Sequence, residues 1–205
     1  MRIYSGIITF CPSEPMTSDQ ILQHFEDTNA LLEGHFLLSS GRHAPKYMQS
    51  ALALQYPADA ARFAAAIAKQ FEDKEIETVA APAIGGLVIG YAVAAALNVR
   101  FIWTERQNGE MTLRRGFSVK AGERILVVED VITTGGSVRE CIAALQASGG
   151  NVVAAASIVD RSNGVADVGV PRFSLASVDV VSYDSADCPM CVTGDRPSKP
   201  GSRNI

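Results

Sequence analysis

The segment ILVVEDVITTGGS, residues 125–137, sets a run of apolar residues directly before two acids and a loop of small residues. A short apolar run that ends at a turn is typical of a buried strand. Buried strands seldom end in two carboxylates, because a charge taken out of water without a partner costs free energy. The segment therefore predicts a strand whose carboxyl end, at Glu129 and Asp130, meets a ligand.

The loop after the acids has the composition of a phosphate-binding turn. Its small residues allow backbone N–H groups to converge on an anion, and the following helix adds partial positive charge. Gly136 stands where a Walker loop requires lysine, and the pattern G-x-G-x-x-G is absent, so a monophosphate is expected. The two acids must face hydrogen-bond donors or a cation, and sugar hydroxyls with Mg²⁺ fit both. A strand, turn and helix with acids placed near the helix dipole is the alternative.

Apolar stretches alternate with segments of helical periodicity through the middle of the chain. The predicted strands cover residues 77–81, 100–103, 124–128 and 152–159. The predicted helices cover about 60–71, 87–97 and 138–147. This alternation predicts an α/β fold with a parallel sheet covered by helices on both faces. Ligands of such sheets bind at the carboxyl ends of the strands.

Two helices carry more detailed patterns. Ser18 or Asp19 is expected to cap a first helix that runs to about Leu32. The helix at 138–147 presents apolar residues at i, i+3, i+4 and i+7, which predicts a buried face. Those residues are Val138, Cys141, Ile142 and Leu145.

Composition limits the class of protein. The chain has 205 residues, 47% of them hydrophobic and 20% charged, as in a single soluble domain. A net charge of −4 gives no indication of nucleic-acid binding. No apolar run is long enough for a membrane span, and the start lacks the features of a signal peptide, so a cytoplasmic protein is expected. Met16 is an alternative start, which would make residues 1–15 an upstream extension.

The opening segment closely resembles the phosphoribosyl-diphosphate-binding motif of type I phosphoribosyltransferases. The resemblance implies that Glu129 and Asp130 hold the ribose hydroxyls and that the loop binds the 5-phosphate. It implies a single domain, with an α/β core at about 51–174 and a small hood from residues 1–50 and about 175–205. It also implies displacement of Mg²⁺-bound pyrophosphate by a base nitrogen. The motif residues are Glu129, Asp130, Val131, Ile132, Thr133, Thr134, Gly135, Gly136 and Ser137.

Two further segments are similar to the orotate phosphoribosyltransferases, a branch of that family. The match of HFLLSSGRHAPKYMQ, residues 35–49, implies base-pocket roles for a set of hood residues: Ser39, Ser40, Gly41, Lys46 and Tyr47. In IVDRS, residues 158–162, the resemblance implies that Arg161 and Thr133 contact orotate. A guanidinium suits both the carboxylate and the flat ring of that base. A hood turn packed by Phe36 and Tyr47, and a solvated arginine, are the alternatives.

The segment ERQNGEMTLRRGF, residues 105–117, is polar and contains glycine, as a mobile active-site flap would. Family members close such a loop over pyrophosphate, often in the neighbouring subunit, which implies a homodimer. Here the flap has no lysine or histidine, so the diphosphate is expected to be bound by Arg106, Arg114 and Arg115. Of these, Arg106 is expected to be a catalytic group. Gly85 and Gly86 offer backbone N–H groups to it, and Gly85 stands where many members carry lysine. A solvated β-hairpin tip is the alternative.

Several interpretations stay open at this stage. An adenine-type phosphoribosyltransferase shares the acid and glycine core, and a non-catalytic regulator that senses phosphoribosyl diphosphate would share the fold. The pair Cys188 and Cys191 fits half of a zinc site, a redox pair or simple hood packing. Packing is expected, because no second Cys/His pair lies nearby in the sequence. The three histidines, His24, His35 and His43, are expected in the surface or hood rather than in catalysis.

Overall fold

The computed structural model describes residues 16–38 and 40–199. The expectation of an extension at 1–15 and the base-pocket role of Ser39 lie outside the described residues. Within them, a six-stranded sheet with helices on both faces forms the core, and a separate two-stranded hairpin lies beside it. The predicted α/β fold with a mostly parallel sheet is confirmed.

The central sheet has the strand order β5-β4-β3-β6-β7-β8. All neighbours pair in parallel except β4 and β5, which form an antiparallel hairpin. The strands are β3 (Thr78–Pro82), β4 (Arg100–Gln107), β5 (Glu110–Leu113), β6 (Arg124–Ile132), β7 (Asn151–Asp160) and β8 (Arg172–Ser177). The motif strand β6 lies between β3 and β7, so its carboxyl end lies at the middle of the sheet edge.

Helices cover the two faces of the sheet with separate apolar clusters. The helices are α1 (Ser18–Asp27), α2 (Ser50–Leu54), α3 (Pro57–Lys69), α4 (Gly86–Leu97), α5 (Gly136–Ala147) and α6 (Pro189–Val192). The cluster that contains Phe63 of α3 and Ile89 of α4 packs on one face, and the cluster that contains Leu145 of α5 packs on the other. The predicted buried face of α5 is confirmed at all four positions.

The first helix is shorter than the sequence predicts. Thr17 is the N-cap and its side chain accepts a hydrogen bond from the backbone of Gln20, so the cap is neither Ser18 nor Asp19. The helix ends at Asp27, and Asn29 then has a φ of 53°. The left-handed turn redirects the chain, and Leu32 belongs to strand β1 (Leu31–Leu37) instead of the helix.

The hood consists of a hairpin near the start of the described chain and a segment near its end. Strands β1 (Leu31–Leu37) and β2 (His43–Met48) pair antiparallel with a register shift between Glu33 and Phe36. The backbone of Tyr183 exchanges two hydrogen bonds with His43, and Ser198 bridges to His35 and Leu37. Sequence periodicity did not predict β1, β2 or β8, because many of their side chains are partly buried or exposed and form no continuous apolar run.

The segment predicted as a polar flap is largely a hairpin. Strand β4 continues to Gln107, Asn108 and Gly109 form a turn at φ values of 54° and 90°, and β5 follows. An Asn-Gly pair with positive φ at both positions is the preferred two-residue hairpin turn. Residues 105–113 therefore form a hairpin, and closure of this segment over a ligand stays a prediction. Among the described residues no helix has the length and apolar character to cross a membrane.

Candidate active site

An open cleft of about 1440 Å³ lies between the carboxyl edge of the sheet and the hood. Its floor comes from residues at the carboxyl ends of β3, β6 and β7, including Gly85, Asp130 and Arg161. Tyr47 of the hairpin and Ser182 of the C-terminal segment line the opposite wall. This is the position at which open parallel sheets bind ligands.

The acid pair lies at the end of β6, as the sequence predicts. Glu129 is buried, whereas Asp130 is half-buried and lines the cleft. The backbone N–H of Asp130 donates to Glu129 Oε1 at 3.1 Å, and that of Val131 donates to Asp130 Oδ1 at 2.7 Å. Burial raises the pKa of Glu129 well above its usual value, and the negative charge of neighbouring Asp130 is the second cause. A cation or a group of hydroxyl donors at this point would relieve that cost.

Two glycines allow α4 to begin directly against the acids. A β-carbon at Gly85 would lie 2.9 Å from Asp130 Oδ1, and one at Gly86 would lie 2.7 Å from the carbonyl oxygen of Val128. Both distances are shorter than real β-carbon contacts, so a side chain at either position would displace the acids or the helix. At Gly85 the nearest atoms belong to the end of the Asp130 side chain, whereas at Gly86 the nearest atom is a backbone oxygen that cannot move as easily.

The predicted phosphate loop is a tight turn between β6 and α5. Gly135 has a φ of 74°, and a β-carbon there would lie 2.8 Å from Val168 Cγ1. The helix begins at Gly136, two residues earlier than predicted, so the N–H groups of Gly136 and Ser137 belong to its first turn. Those groups have no partner within the helix and are suited to an anion. Thr133, Thr134 and Ser137 line the cleft beside them.

Arg139 holds this loop in place, a role that the sequence analysis missed. One guanidinium nitrogen donates to the carbonyl of Thr134 at 2.8 Å and to that of Asp167 at 2.6 Å. The contact joins the phosphate loop to the loop that follows β7. An arginine in the first turn of the helix after a glycine-rich loop is a signal that was available in the sequence.

Arg161 lies next to the phosphate loop. Its backbone N–H donates to the carbonyl of Ile132 at 2.7 Å, which sets the end of β7 against Thr133. The side chain lines the cleft, and burial lowers its pKa while the nearby Tyr47 opposes that shift. The carboxylate of Asp160 fixes the following turn through Ser162 and the guanidinium of Arg172. Thr133, Arg161 and Tyr47 therefore share one part of the cleft.

The other hood residues divide between the cleft and the outer surface. Ser40 lines the cleft, while Gly41 forms the turn between the strands with a φ of 81°. Lys46 is not among the cleft-lining residues; its ammonium lies 3.1 Å from Glu33 Oε1 across the hairpin. Arg42, which the sequence analysis did not select, lines the cleft and is held by Ser182 and Asp184.

The flap arginines are paired with carboxylates. Glu105 accepts from Arg115 at 2.5 and 3.2 Å and lies 3.4 Å from Arg114, and Arg106 pairs with Glu140. The Arg115 hydrogen bond, followed by that of Trp103, lowers the pKa of Glu105. Arg106 and Arg115 line the cleft of their own chain, whereas Arg114 does not. All three are exposed, so exchange of these partners for a diphosphate costs little.

Comparison with known proteins agrees with this geometry. A family described as "Phosphoribosyl transferase domain" matches residues 53–182. The chain is 52% identical over 190 residues to an orotate phosphoribosyltransferase of Pelotomaculum thermopropionicum, with 93% of this chain and 100% of that protein covered. It is 50% identical over 188 residues to one of Caldicellulosiruptor bescii, with 92% and 99% covered.

A solved structure gives the same result for the fold. The crystal structure of orotate phosphoribosyltransferase from Aeropyrum pernix superposes with a TM-score of 0.63 at 26% identity, covering 77% of this chain and 93% of that one. The parallel sheet, the acid pair and the glycine turn thus define a phosphoribosyltransferase, which is a pentosyl-transferring enzyme. More particularly, the chain belongs to the orotate phosphoribosyltransferase family.

The raised pKa of Glu129 gives a prediction about stability. A carboxyl whose pKa is raised on folding binds more protons in the folded state, so stability falls as pH rises from its unfolded pKa, about 4.3, through the folded value. Glu129→Gln removes that dependence. We expect the variant to exceed the wild type in free energy of unfolding at pH 8 and the difference to vanish near pH 4. Urea unfolding across this range measures it.

Glu72→Gln is the matched control, because Glu72 is an exposed carboxylate on the 3₁₀ turn after α3. It measures the effect of losing one surface carboxylate alone. Parallel pH profiles for the wild type and Glu129→Gln would contradict the burial effect.

Proposed function

We propose that this chain transfers ribose 5-phosphate from phosphoribosyl diphosphate to orotate, forming orotidine 5-phosphate and pyrophosphate for pyrimidine synthesis. The observation that carries the proposal is the identity of about 50% to orotate phosphoribosyltransferases over more than nine-tenths of the chain. The cleft supports this proposal. Acid and hydroxyl side chains suited to a sugar phosphate lie at the end of β6, and the guanidinium of Arg161 lies at the end of the adjacent strand β7.

The ribose 5-phosphate is assigned to the carboxyl end of β6. Glu129 and Asp130 accept hydrogen bonds from the ribose hydroxyls, and the turn at residues 131–137 receives the phosphate. The free N–H groups at the start of α5 and the threonine hydroxyls support this assignment. The hard carboxylate oxygens of the acid pair would suit Mg²⁺, and a bound Mg²⁺ would reduce the negative charge of the diphosphate.

The diphosphate is assigned to the space between Gly85 and the flap. Gly85 lines the cleft there, and Gly86 is buried behind it. Arg106 of β4 and Arg115, two residues after β5, line the same cleft. Arg114 joins them when it leaves Glu105. Release of these arginines from Glu105 and Glu140 is the step that commits them to the leaving group.

Orotate is assigned to the part of the cleft that Arg161, Thr133 and Tyr47 share. Arg161 pairs with the carboxylate of the base, and the Tyr47 ring packs against the base. Ser40 closes the hood side. Lys46 keeps its contact with Glu33 and has no direct role in this assignment, unlike the expectation from the sequence.

Catalysis in this arrangement is positioning and charge stabilisation. The bond from C1 to pyrophosphate loosens before the base nitrogen arrives, which leaves positive charge on the sugar. The carboxylates beneath the ribose stabilise that charge, while the arginines stabilise the departing diphosphate. A closed flap also excludes water, which would otherwise compete with the base.

A homodimer in the cytoplasm completes the proposal. Val88 and Tyr91 lie on one side of α4 and are 49% and 67% exposed, and such an apolar surface suits a partner subunit. Cys141, Cys188 and Cys191 are free thiols, as is usual in a reducing compartment.

Turnover of orotate is the direct test of the reaction. With Mg²⁺ and phosphoribosyl diphosphate, the ultraviolet absorbance of orotate should fall, and Asp130→Asn should lower kcat/KM by about 100-fold because it removes transition-state charge stabilisation. Arg161→Ala should raise the KM for orotate by more than about tenfold, since a buried ion pair loses its partner.

Adenine, hypoxanthine and uracil are assayed in parallel as alternative bases. Lys46→Ala is the matched control for removal of a cation, and its kinetics should be near normal. Turnover of adenine without orotate would favour a purine enzyme. Tight binding of phosphoribosyl diphosphate without turnover of any base would favour a regulator.

The dimer has a separate test. We expect the wild type to sediment at twice the mass of one chain, and Tyr91→Glu to sediment as a monomer because a charge enters the apolar contact. Tyr56→Glu, at another half-exposed tyrosine, should remain dimeric. A monomeric wild type would contradict the dimer.

A further inference from the structure

Four metal-binding side chains meet in the hood, away from the acid pair. His35 of β1 and His43 of β2 face Cys188 and Cys191 at the two ends of the first turn of α6. Their nearest ligand atoms all lie within 4.8 Å of one another. Three of the four residues are buried, and Cys191 is half-buried. No other described group of histidine, cysteine and acidic residues forms such a cluster.

Four of the six distances among these ligand atoms are close to the edges of a zinc coordination tetrahedron. Cys188 Sγ lies 3.4 Å from His35 Nε2, and Cys191 Sγ lies 3.3 Å from His43 Nδ1 and 3.8 Å from His35 Nε2. The two histidine nitrogens are 2.9 Å apart. Zinc bonds of about 2.3 Å to sulfur and 2.0 Å to nitrogen give N···S edges of about 3.5 Å and N···N edges of about 3.3 Å.

The orientation of His35 adds an independent observation. Its Nε2 points into the cluster, while its buried Nδ1 has no hydrogen-bond partner among the described residues. The carboxylate of Asp195 lies 3.6 Å from that Nδ1. Histidine ligands usually direct the second nitrogen towards a carboxylate, which fixes the tautomer and strengthens the metal bond.

Thiols alone would be poor partners for two buried imidazoles. An S–H group is a weak donor and sulfur a weak acceptor, so a metal-free cluster leaves strong polar groups poorly satisfied. The two cysteines form no disulfide with each other. A cation bound by two thiolates and two imidazoles would satisfy all four groups at once.

We propose that His35, His43, Cys188 and Cys191 form a structural zinc site. Two sulfur and two nitrogen ligands in a tetrahedral arrangement select Zn²⁺ over the hard cation of the substrate. With four protein ligands the site has no open position for a substrate, so it stabilises the hood and does not take part in the reaction.

The site joins segments that are far apart in the chain, since His35 and Cys188 are 153 positions apart. Backbone hydrogen bonds from Tyr183 to His43 and from Ser198 to His35 flank it on both sides. From the sequence, simple packing was expected for the Cys188–Cys191 pair. The two histidines were not connected with it, because they are near the cysteines only in space. The zinc fastens the C-terminal segment to the hairpin whose Tyr47 and Arg42 line the cleft.

Metal content of the wild-type chain is the first test, and it needs no turnover. The full chain is purified without a metal-affinity step, under a phosphine reductant, and its zinc is measured by mass spectrometry after dialysis. We expect about one zinc per chain. After replacement by Co²⁺, thiolate-to-metal charge-transfer bands and the intense visible bands of tetrahedral cobalt should appear.

Cys191→Ser and His43→Gln should each lose most of the zinc, and the melting temperature should fall by about 5 °C or more. Cys141→Ala and His24→Gln remove a thiol and a histidine outside the cluster and should keep the full zinc content. A strong chelator should lower the melting temperature of the wild type and leave that of Cys191→Ser unchanged.

A wild-type chain that carries no zinc, and takes up none when Zn²⁺ is added to the reduced protein, would overturn the proposal. Zinc that survives in both Cys191→Ser and His43→Gln would also overturn it. Because every readout is metal content, spectrum or melting temperature, failure of the proposed transferase activity would leave this result unaffected.

Discussion

The rest of the structure depends on two adjacent carboxylates at the end of a buried central strand. Glu129 is desolvated and lies beside Asp130, so its charged form is disfavoured until a ligand supplies hydroxyl donors or a cation. Gly85 and Gly86 let α4 start against these acids, and the turn at Gly135 starts α5 on their other side. The unfavourable burial of carboxylate charge and the close backbone packing therefore occur at the same point. This is the point to which the sugar phosphate is assigned.

The sheet edge supplies only one wall of the cleft, and the hood supplies the other. That wall is made from two chain segments, the β1–β2 hairpin and the segment around Tyr183 and Ser198. Their own core is small, since most side chains of β1 and β2 are partly buried or exposed. A metal ion at His35 and Cys188 would provide the fixed geometry that a small core cannot provide.

Local patterns in the sequence predicted the core well, because a buried strand and an amphipathic helix each leave a periodic signature. Strand β6 and the buried face of α5 are examples. The prediction for the first helix was wrong at its end. Asn29 has a left-handed conformation and redirects the following apolar stretch, which includes Leu32, into a strand. Contacts between distant segments leave no local signature, so the two histidines beside the C-x-x-C pair could not be predicted from the sequence.

A crystal structure of the chain with orotidine 5-phosphate would test the central claim most directly. The account predicts the phosphate at the N–H groups of the turn before α5, the ribose hydroxyls at Glu129 and Asp130, and the base carboxylate at Arg161. A nucleotide bound elsewhere, or bound with its phosphate against the flap arginines and its base on the acid pair, would contradict it.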